Sequence, residues 1–237
     1  MKILVIMPTF NEAGNIEHAV EELFKYNPNV DLLIVDDDSP DGTAVLADQL
    51  ALAHSRIKVI HRKAQRGLGT AYIAGFKYAF DSDYDFVVEM DADGSHRAQD
   101  LPKLLSVCET HDLVIGSRYV EGGSTENWPL HRQWLSKGGN LFAKLMLGTK
   151  LNDMTAGFRI FSVPFLKTVD LTTINARGYS FQIEMAYRTI QQGGRTAEIP
   201  IVFVEREIGD SKMSRAIVLE AILLMTKFGI KRLFRRN

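Results

Sequence analysis

Phe86-Val-Val-Glu-Met-Asp-Ala-Asp-Gly-Ser-His96 is the stretch on which the reading of this 237-residue chain turns. Phe86, Val87 and Val88 form a short aromatic and β-branched run entered from the polar segment 81–85, and they predict a buried strand. At its end stand two carboxylates, Asp91 and Asp93, and Gly94 lets the chain turn away. Side chains two apart in an extended segment point the same way. The small Ala92 between them leaves room for both carboxylates to face one guest. Two like charges held that close repel unless a cation sits between them. All-oxygen ligands suit Mg²⁺ or Mn²⁺, and Mg²⁺ commonly bridges one or two carboxylates to phosphates. An isolated pair of this kind is better explained as a solvated turn capping the next helix, so its surroundings must decide.

Working outward, the chain is long enough for one large domain with a full core. Its 46% hydrophobic and 24% charged residues are those of an ordinary globular protein. A formal net charge of −1 gives no electrostatic case for nucleic-acid binding. The exception is a basic end carrying Lys231, Arg232, Arg235 and Arg236. The single Cys108 excludes an internal disulfide, fits a reducing compartment and falls in an apolar helical pattern, so a buried structural thiol is expected. The apolar N-terminal run breaks at Pro8, too short for a signal-peptide core. No run reaches the roughly 18 apolar residues of a membrane span.

Ile3 to Met7 reads as a strand buried on both faces, ending in the polar loop Pro8-Thr9-Phe10-Asn11-Glu12. Ile16, Ala19, Val20, Leu23 and Phe24 make one helical stripe. Leu32 to Val35 is a strand running into Asp36-Asp37-Asp38-Ser39-Pro40-Asp41-Gly42, with a helix from Thr43 to about Ala53. Ile57 to Ile60 gives a third strand, followed by Arg66-Gly67-Leu68-Gly69-Thr70 opening a helix through Ala79. The fourth strand carries Asp91 and Asp93; a helix over Leu101 to Cys108 precedes a fifth, Leu113 to Ile115. Five strands alternating with helices predict an α/β protein with a mostly parallel sheet covered on both sides. Ligands of such sheets bind beyond the carboxyl ends of the strands, and each polar cluster sits at such an end. The first strand does not lead into a GxGxxG turn and no GxxxxGK[ST] occurs, which argues against dinucleotide oxidoreduction and P-loop hydrolysis.

In the second half, a glycine-rich turn (Gly122, Gly123) leads to a helix from about Arg132 to Leu147. Residues 153–159 read as a further polar turn on the same edge, Tyr179 to Gln192 as a helix, and Ile199 to Val204 as one late strand. Ser214 to Phe234 is a helix apolar around most of its girth, followed by basic residues, suited to the core or to a membrane interface.

Taken together, PTFNEAGNI (8–16), VDDDSPDGT (35–43), RGLGTAYIAGFKYA (66–79), MDADGSH (90–96), GSRY (116–119), WPLHRQWLSKGGN (128–140), TAGFR (155–159), GYSFQIEM (178–185) and FVEREIGDSKMS (203–214) resemble the inverting family-2 glycosyltransferases of GT-A fold. Within that family they look most like the dolichyl or polyprenyl phosphate mannose synthases. The resemblance implies a catalytic domain over residues 1–213 and a membrane-interfacial amphipathic helix over 214–237. It implies GDP-mannose as donor, met by Pro8, Phe10, Glu12, Val35, Asp37, Asp91, Ala92 and Asp93, with Arg206 and Lys212 on its phosphates. Mg²⁺ or Mn²⁺ would be held by Asp91 and Asp93, with Ser95 as a third ligand. Arg118, Arg132 and Ser136 would hold the phosphate of a polyprenyl or dolichyl acceptor. Asp91, Asp93 and Arg118 are thus the expected catalytic residues. A planar guanidinium suits phosphate because it donates paired hydrogen bonds.

Some positions depart from the family pattern. Phe10 stands where relatives often have Tyr, Ser95 where some have Gln, and Ala98 where proline is frequent. Many relatives carry transmembrane helices after the catalytic domain, whereas this sequence stops at Asn237. The expectation is a cytoplasmic protein, peripheral on the cytoplasmic face of a membrane, docked through its last helix beside a separate membrane subunit. A transferase using UDP-glucose or another acceptor, and a non-catalytic nucleotide-sugar-binding subunit, are the competing readings. His96 is read as a metal neighbour or a capping residue, and Glu184 as a substrate contact or a partner of Arg159.

Overall fold

The structure is a computed structural model and describes residues 1–63, 67–174, 178–206 and 215–234. The first half alternates strand and helix as expected: β1 (Ile3–Thr9), α1 (Ile16–Tyr26), β2 (Asp31–Asp36), α2 (Thr43–Ala53), β3 (Ile57–His61), α3 (Leu68–Phe80) and β4 (Phe86–Glu89). Then come α4 (Leu101–Leu105), β5 (Leu113–Ser117), β6 (Ser124–Glu126), α5 (Leu130–Leu147), β7 (Arg159–Ser162) and α6 (Val163–Leu166). The last elements are α7 (Tyr179–Gln191), β8 (Thr196–Pro200), β9 (Val202–Val204) and α8 (Arg215–Phe234).

Seven strands form one sheet in the order β3-β2-β1-β4-β7-β5-β8. All pairings are parallel except those of β7, which runs antiparallel to both β4 and β5. Alternate side chains of each strand supply two cores. Leu4, Ile6, Leu33 and Val87 face Tyr72, Phe76, Phe181 and Met185 on one side of the sheet. Val5, Met7, Leu32 and Val88 face Ile16, Leu23, Ala47 and Leu101 on the other. Burial on both faces is why β1 and β4 read as unbroken apolar runs. The chain order reverses between β1 and β4, so the loops leaving them part there and open a crevice at the carboxyl edge.

Three expectations are corrected. The turn read at 153–159 ends in β7, whose four residues slip between β4 and β5, so the five expected strands are not the whole sheet. The single late strand is two: β8 ends at Pro200 in the main sheet, while β9 pairs with β6 in a separate parallel pair. The helix expected through Cys108 stops at Leu105 and continues as a tight turn over Cys108–Thr110. Cys108 itself is buried, and burial lifts its thiol to about 11, which fits the structural role. The last helix is not buried all round. α8 packs on α5 and α7 through Ala221 and Met225 and leaves Leu219, Leu223, Ile230 and Phe234 exposed. No described helix is long and apolar enough to cross a membrane.

The fit of α3 on β1 is close: a Cβ added at Gly75 would stand 2.6 Å from Ile6 Cγ2. Gly138 in α5 has nothing within 4 Å of such a Cβ. Gly75→Ala should therefore lower stability by about 1–3 kcal/mol through overpacking. Gly138→Ala should raise it by up to about 1 kcal/mol through helix propensity. Urea unfolding of both variants checks the pair, and equal shifts would contradict the close approach.

Candidate active site

The carboxyl edge gathers two groups of side chains. On one side, the end of β1 is tied to the end of β2. Thr9 Oγ1 donates to Asp36 Oδ2 at 2.9 Å, and Asp36 also accepts from the Ser39 amide at 3.0 Å and the Ser39 hydroxyl at 2.6 Å. Asp36 is thereby the builder of the turn. Asp37, also buried, accepts from the Gly67 amide at 2.7 Å and lies 3.0 Å from the Arg62 guanidinium. Glu12 is buried, its amide donating to Thr43 Oγ1 at 2.9 Å and its carboxylate accepting from Asn15 Nδ2 at 2.8 Å. Pro8 and Phe10 are half-buried at the crevice. Val35 is different: its side chain lies wholly in the core, so it can meet a ligand only through its main chain.

Beside this wall, β4 delivers Asp91 and Asp93, which share the edge but not their surroundings. Asp91 Oδ1 accepts from Tyr72 Oη at 3.1 Å, and its amide donates to His96 Nδ1 at 3.0 Å. The His96 ring is buried, stacked on Phe158 at 5.1 Å, with Nε2 4.0 Å from Asp91 Oδ2. His96 thus steers the loop rather than capping a helix. Burial, with help from Asp91, raises the Tyr72 phenol well above its ordinary range, so it stays a donor. Tyr72 was not among the expected residues; its only sequence signal is a hydroxyl on the otherwise apolar stripe of α3.

Asp93 is the more enclosed of the two. Its Oδ1 accepts from the Ser95 hydroxyl at 2.6 Å and the Ser95 amide at 3.1 Å, and Arg206 lies 3.3 Å from Oδ2. Burial alone would favour the neutral acid, but the Ser95 hydrogen bonds and Arg206 outweigh it and hold the pKa low. Ser95, expected as a metal ligand, commits its hydroxyl to orienting Asp93. Lys212 lies outside the described residues. Among the described residues no cluster of three or more His, Cys, Asp or Glu could hold a metal alone. Two carboxylates at one strand end still fit a hard divalent cation that takes its remaining oxygens from water and a diphosphate.

On the other side, Arg118 follows β5 and is almost fully enclosed. Its Nε donates to Asp153 Oδ2 and its Nη2 to Asp153 Oδ1, both at 2.7 Å, and Nη2 also donates to Thr155 Oγ1 at 2.7 Å. The rings of Tyr119, Trp128 and Phe203 stand 5.3–5.4 Å from the guanidinium carbon. Burial works against both charges, yet each partner outweighs it: Asp153 is held low and Arg118 raised. Arg132, in the first turn of α5, pairs with Glu205 and lies 4.1 Å over the Trp128 ring. Ser136 Oγ accepts from Tyr119 Oη at 2.7 Å. Arg118, Arg132 and Ser136 come together at the polar end of one cavity of about 410 Å³ between α5, α7 and α8. Its walls are apolar, with Phe142, Ile183, Ile222 and Met225 among them.

Residues 4–170 match the sequence family described as Glycosyl transferase family 2. The chain belongs to that family. It is 47% identical over 230 residues to the undecaprenyl-phosphate mannosyltransferase of Micrococcus luteus, covering 97% of this chain and 95% of that one. It is 45% identical over 232 residues to the polyprenol monophosphomannose synthase of Mycolicibacterium smegmatis, covering 97% and 88% respectively. Its fold is similar to that of glucosyl-3-phosphoglycerate synthase from Mycobacterium tuberculosis, solved with Mn²⁺, UDP-glucose and phosphoglyceric acid. That match has a TM-score of 0.69 at 20% identity over 94% of this chain and 79% of that one. A mannosyltransferase from Pyrobaculum calidifontis, solved with GDP-mannose and Mn²⁺, matches with a TM-score of 0.59 at 16% identity over 99% and 74%. The protein is a glycosyltransferase, and the mostly parallel GT-A architecture expected from its sequence is the one observed.

Beneath the two halves of the transferase's site lies a buried polar cluster. Arg159 has no exposure; its Nε, Nη2 and Nη1 donate to the carbonyls of Ala156, Met154 and Gln182 at 2.7, 2.8 and 2.6 Å. Glu89 faces it across the β4–β7 register. Burial, only partly offset by Arg159 and Gln182, pushes the Glu89 carboxyl up to about 8. Burial lowers Arg159 to about 10, against the pull of Glu89. Glu184, read as either a substrate contact or a partner of Arg159, pairs with Arg188 one turn on, at 2.6 Å. An i, i+4 neighbour on the same helix reaches Glu184 more readily than a guanidinium committed to three carbonyls.

Asp153→Ala should lower stability by about 3–5 kcal/mol at neutral pH, since it leaves Arg118 buried without its counter-charge. Asp153 titrates below its ordinary 3.8, so its contribution is complete above that pH and fades as pH falls through the native value. Urea unfolding at neutral and acid pH should show the deficit narrowing in acid. A deficit independent of pH would contradict the ion pair.

Proposed function

We propose that this glycosyltransferase moves mannose from GDP-mannose to a polyprenyl phosphate, inverting the anomeric centre and using a divalent cation. The observation that carries the reading is the α5–α7–α8 cavity, with two arginines and a serine at one end and apolar walls behind them. A phosphate on a hydrocarbon chain has that distribution of chemistry. The names of the two relatives at 45–47% identity support a mannosyl donor and a polyprenyl acceptor.

In this reading Pro8, Phe10, Glu12 and Asp37, with the Val35 main chain, form the wall for base and ribose, and Ala92 keeps the floor shallow. Asp91 and Asp93 would hold Mg²⁺ or Mn²⁺, which when bound offsets the charge of the departing diphosphate. Tyr72 and His96 hold Asp91, while Ser95 and Arg206 hold Asp93, so both carboxylates are aimed in advance. Arg118 and Arg132 hold the acceptor phosphate, and Ser136 adds a hydroxyl. A phosphate monoester has a second pKa of about 6 and is already largely a dianion, so no general base is required. A phosphate oxygen forms the new bond to the anomeric carbon as the bond to the diphosphate oxygen breaks. An α-linked donor then yields a β-linked lipid phosphate sugar. The chain's work is to position two anions and neutralise the charge between them.

The same reading places the protein peripherally on the cytoplasmic face of a membrane. Leu130, Trp134, Leu141 and Leu145 of α5 and Leu219, Ile222, Leu223, Ile230 and Phe234 of α8 are exposed on neighbouring helices that flank the cavity. Lys227 and Lys231 of α8 add positive charge suited to an anionic leaflet. We assign residues 1–213 to catalysis and 214–237 to the interface, where a separate membrane subunit could also dock.

The test is incubation of the purified protein with Mg²⁺ or Mn²⁺, a panel of sugar nucleotides and short polyprenyl phosphates. Mass spectrometry should find mannosyl phosphate lipid from GDP-mannose only, and anomeric couplings in its NMR spectrum should be those of a β-linkage. Asp93→Ala should abolish turnover while leaving the circular dichroism unchanged. Unaltered turnover in that variant, or product from UDP-glucose instead, would reject the assignment.

A further inference from the structure

A second cavity, of about 600 Å³, opens on the opposite flank of α5 from the acceptor cavity and shares with it, among the described residues, Arg118 alone. One stripe of that helix lines it, Gln133, Lys137, Asn140 and Lys144, at helical spacings of four, three and four. Tyr119 and Asn152 face them. Among the described residues no carboxylate contributes to its lining, and two lysines, Lys137 and Lys144, border it. The wall is held in shape. Lys144 Nζ donates to Asn152 Oδ1 at 2.8 Å, and Gln133 Nε2 to the Trp128 carbonyl at 3.0 Å. The buried Asn140 accepts the Met154 amide at 2.8 Å and donates to Thr155 Oγ1 at 3.1 Å.

The position of this cleft identifies its ligand. The adjoining stripe of α5 presents Leu130, Trp134, Leu141 and Leu145 to the outside, and Leu141 also forms the lip of the cleft. A helix lying with such a stripe at the acyl boundary carries the residues beside the stripe at headgroup depth. Lysines there turn their amines toward phosphate while their stems stay against the apolar face. We infer that the cleft between α5 and the segment after β5 binds the phosphodiester headgroup of an anionic bilayer lipid, beside the acceptor phosphate, with Arg118 lining both cavities. This rests on the interfacial placement of α5 and α8 proposed above. The headgroup would fix the rotation of α5 on the membrane, and with it the direction in which the acceptor cavity opens.

Monomeric dihexanoylphosphatidylglycerol, used below its micelle concentration, tests the cleft without a charged surface. The full chain should bind it saturably, with amide shifts confined to α5 and the segment after β5. Dihexanoylphosphatidylcholine and glycerol phosphate at the same concentration should give no such shifts. Loss of two charge-assisted contacts in Lys137→Gln/Lys144→Gln should weaken binding by at least about tenfold. Lys137→Gln alone, which leaves the Lys144–Asn152 contact intact, should show a smaller loss in the same direction. Lys227→Gln/Lys231→Gln, which removes the same charge from α8, should bind as the parent does. Equal weakening by the α8 pair, no weakening by the α5 pair, or equal binding of glycerol phosphate would each overturn the headgroup assignment. The underlying placement is read separately. Leu145→Glu/Leu223→Glu should lose binding to neutral phosphatidylcholine vesicles, and retention there would reject the placement while leaving the short-lipid result standing.

Discussion

A guanidinium with no contact to solvent joins the two halves of this site. Arg159 opens β7, the strand that interrupts the parallel order, and a charge in that position is expensive unless every donor is met. Three main-chain carbonyls meet it, two from the 153–158 turn and one from α7. Across the register stands Glu89, the last residue of β4 and two before Asp91. One side chain therefore fixes the turn that carries Asp153 and Thr155 relative to the strand that leads into Asp91 and Asp93. Gly157 lets that turn come close: an added Cβ would lie 3.1 Å from Cε1 of His96, the ring that holds the Asp91 amide.

Charge is divided across this frame. Carboxylates dominate the β4 end and guanidiniums the α5 end, yet each is offset where it stands. Asp93 has Arg206, Arg118 has Asp153, and Arg132 has Glu205. The offsets make the arrangement rigid before any ligand arrives, because a paired and hydrogen-bonded charge has few alternative rotamers. They also temper the attraction for anions. The three aromatic rings around Arg118 add enclosure, strengthening its field by keeping water away.

Much of this was legible in the sequence because local pattern and fold agree there. Both faces of β1, β2 and β4 are buried, so their apolar runs were unmistakable, and each led into the polar cluster now seen at the carboxyl edge. Arg118, Arg132 and Ser136 were expected together and line one cavity. The failures occur where tertiary context overrides pattern. Arg-Ile-Phe-Ser is too short and starts too polar to read as a central strand; only the carbonyls and Glu89 make its arginine tolerable there. The break at Ile201 is invisible in an apolar run that simply changes sheets. The Arg118–Asp153 pair spans 35 residues and leaves no spacing to detect. Glu184 was left between a substrate contact and Arg159, and its ion-pair partner is Arg188, one helical turn away. Tyr72 was overlooked because a buried tyrosine usually signifies packing.

The long helices show how composition becomes orientation. α5 has three distinct flanks: one toward the cavity it forms with α7 and α8, one toward the lysine-bordered cleft, and an outward apolar stripe between them. α8 contributes a second outward stripe while closing the first of these cavities with Ile222 and Met225. A polyprenyl chain bound between these helices would have its phosphate under Arg118 and its hydrocarbon leaving between two greasy exposed edges. Neither helix needs to span a bilayer for that to work. A long lipid can keep its tail in the membrane as long as the cavity mouth lies at the surface, and the side chains that would bring it there are the ones bordering the mouth. Under the proposed reading, substrate capture and membrane attachment would both follow from a single constraint, the packing of α5 against α8.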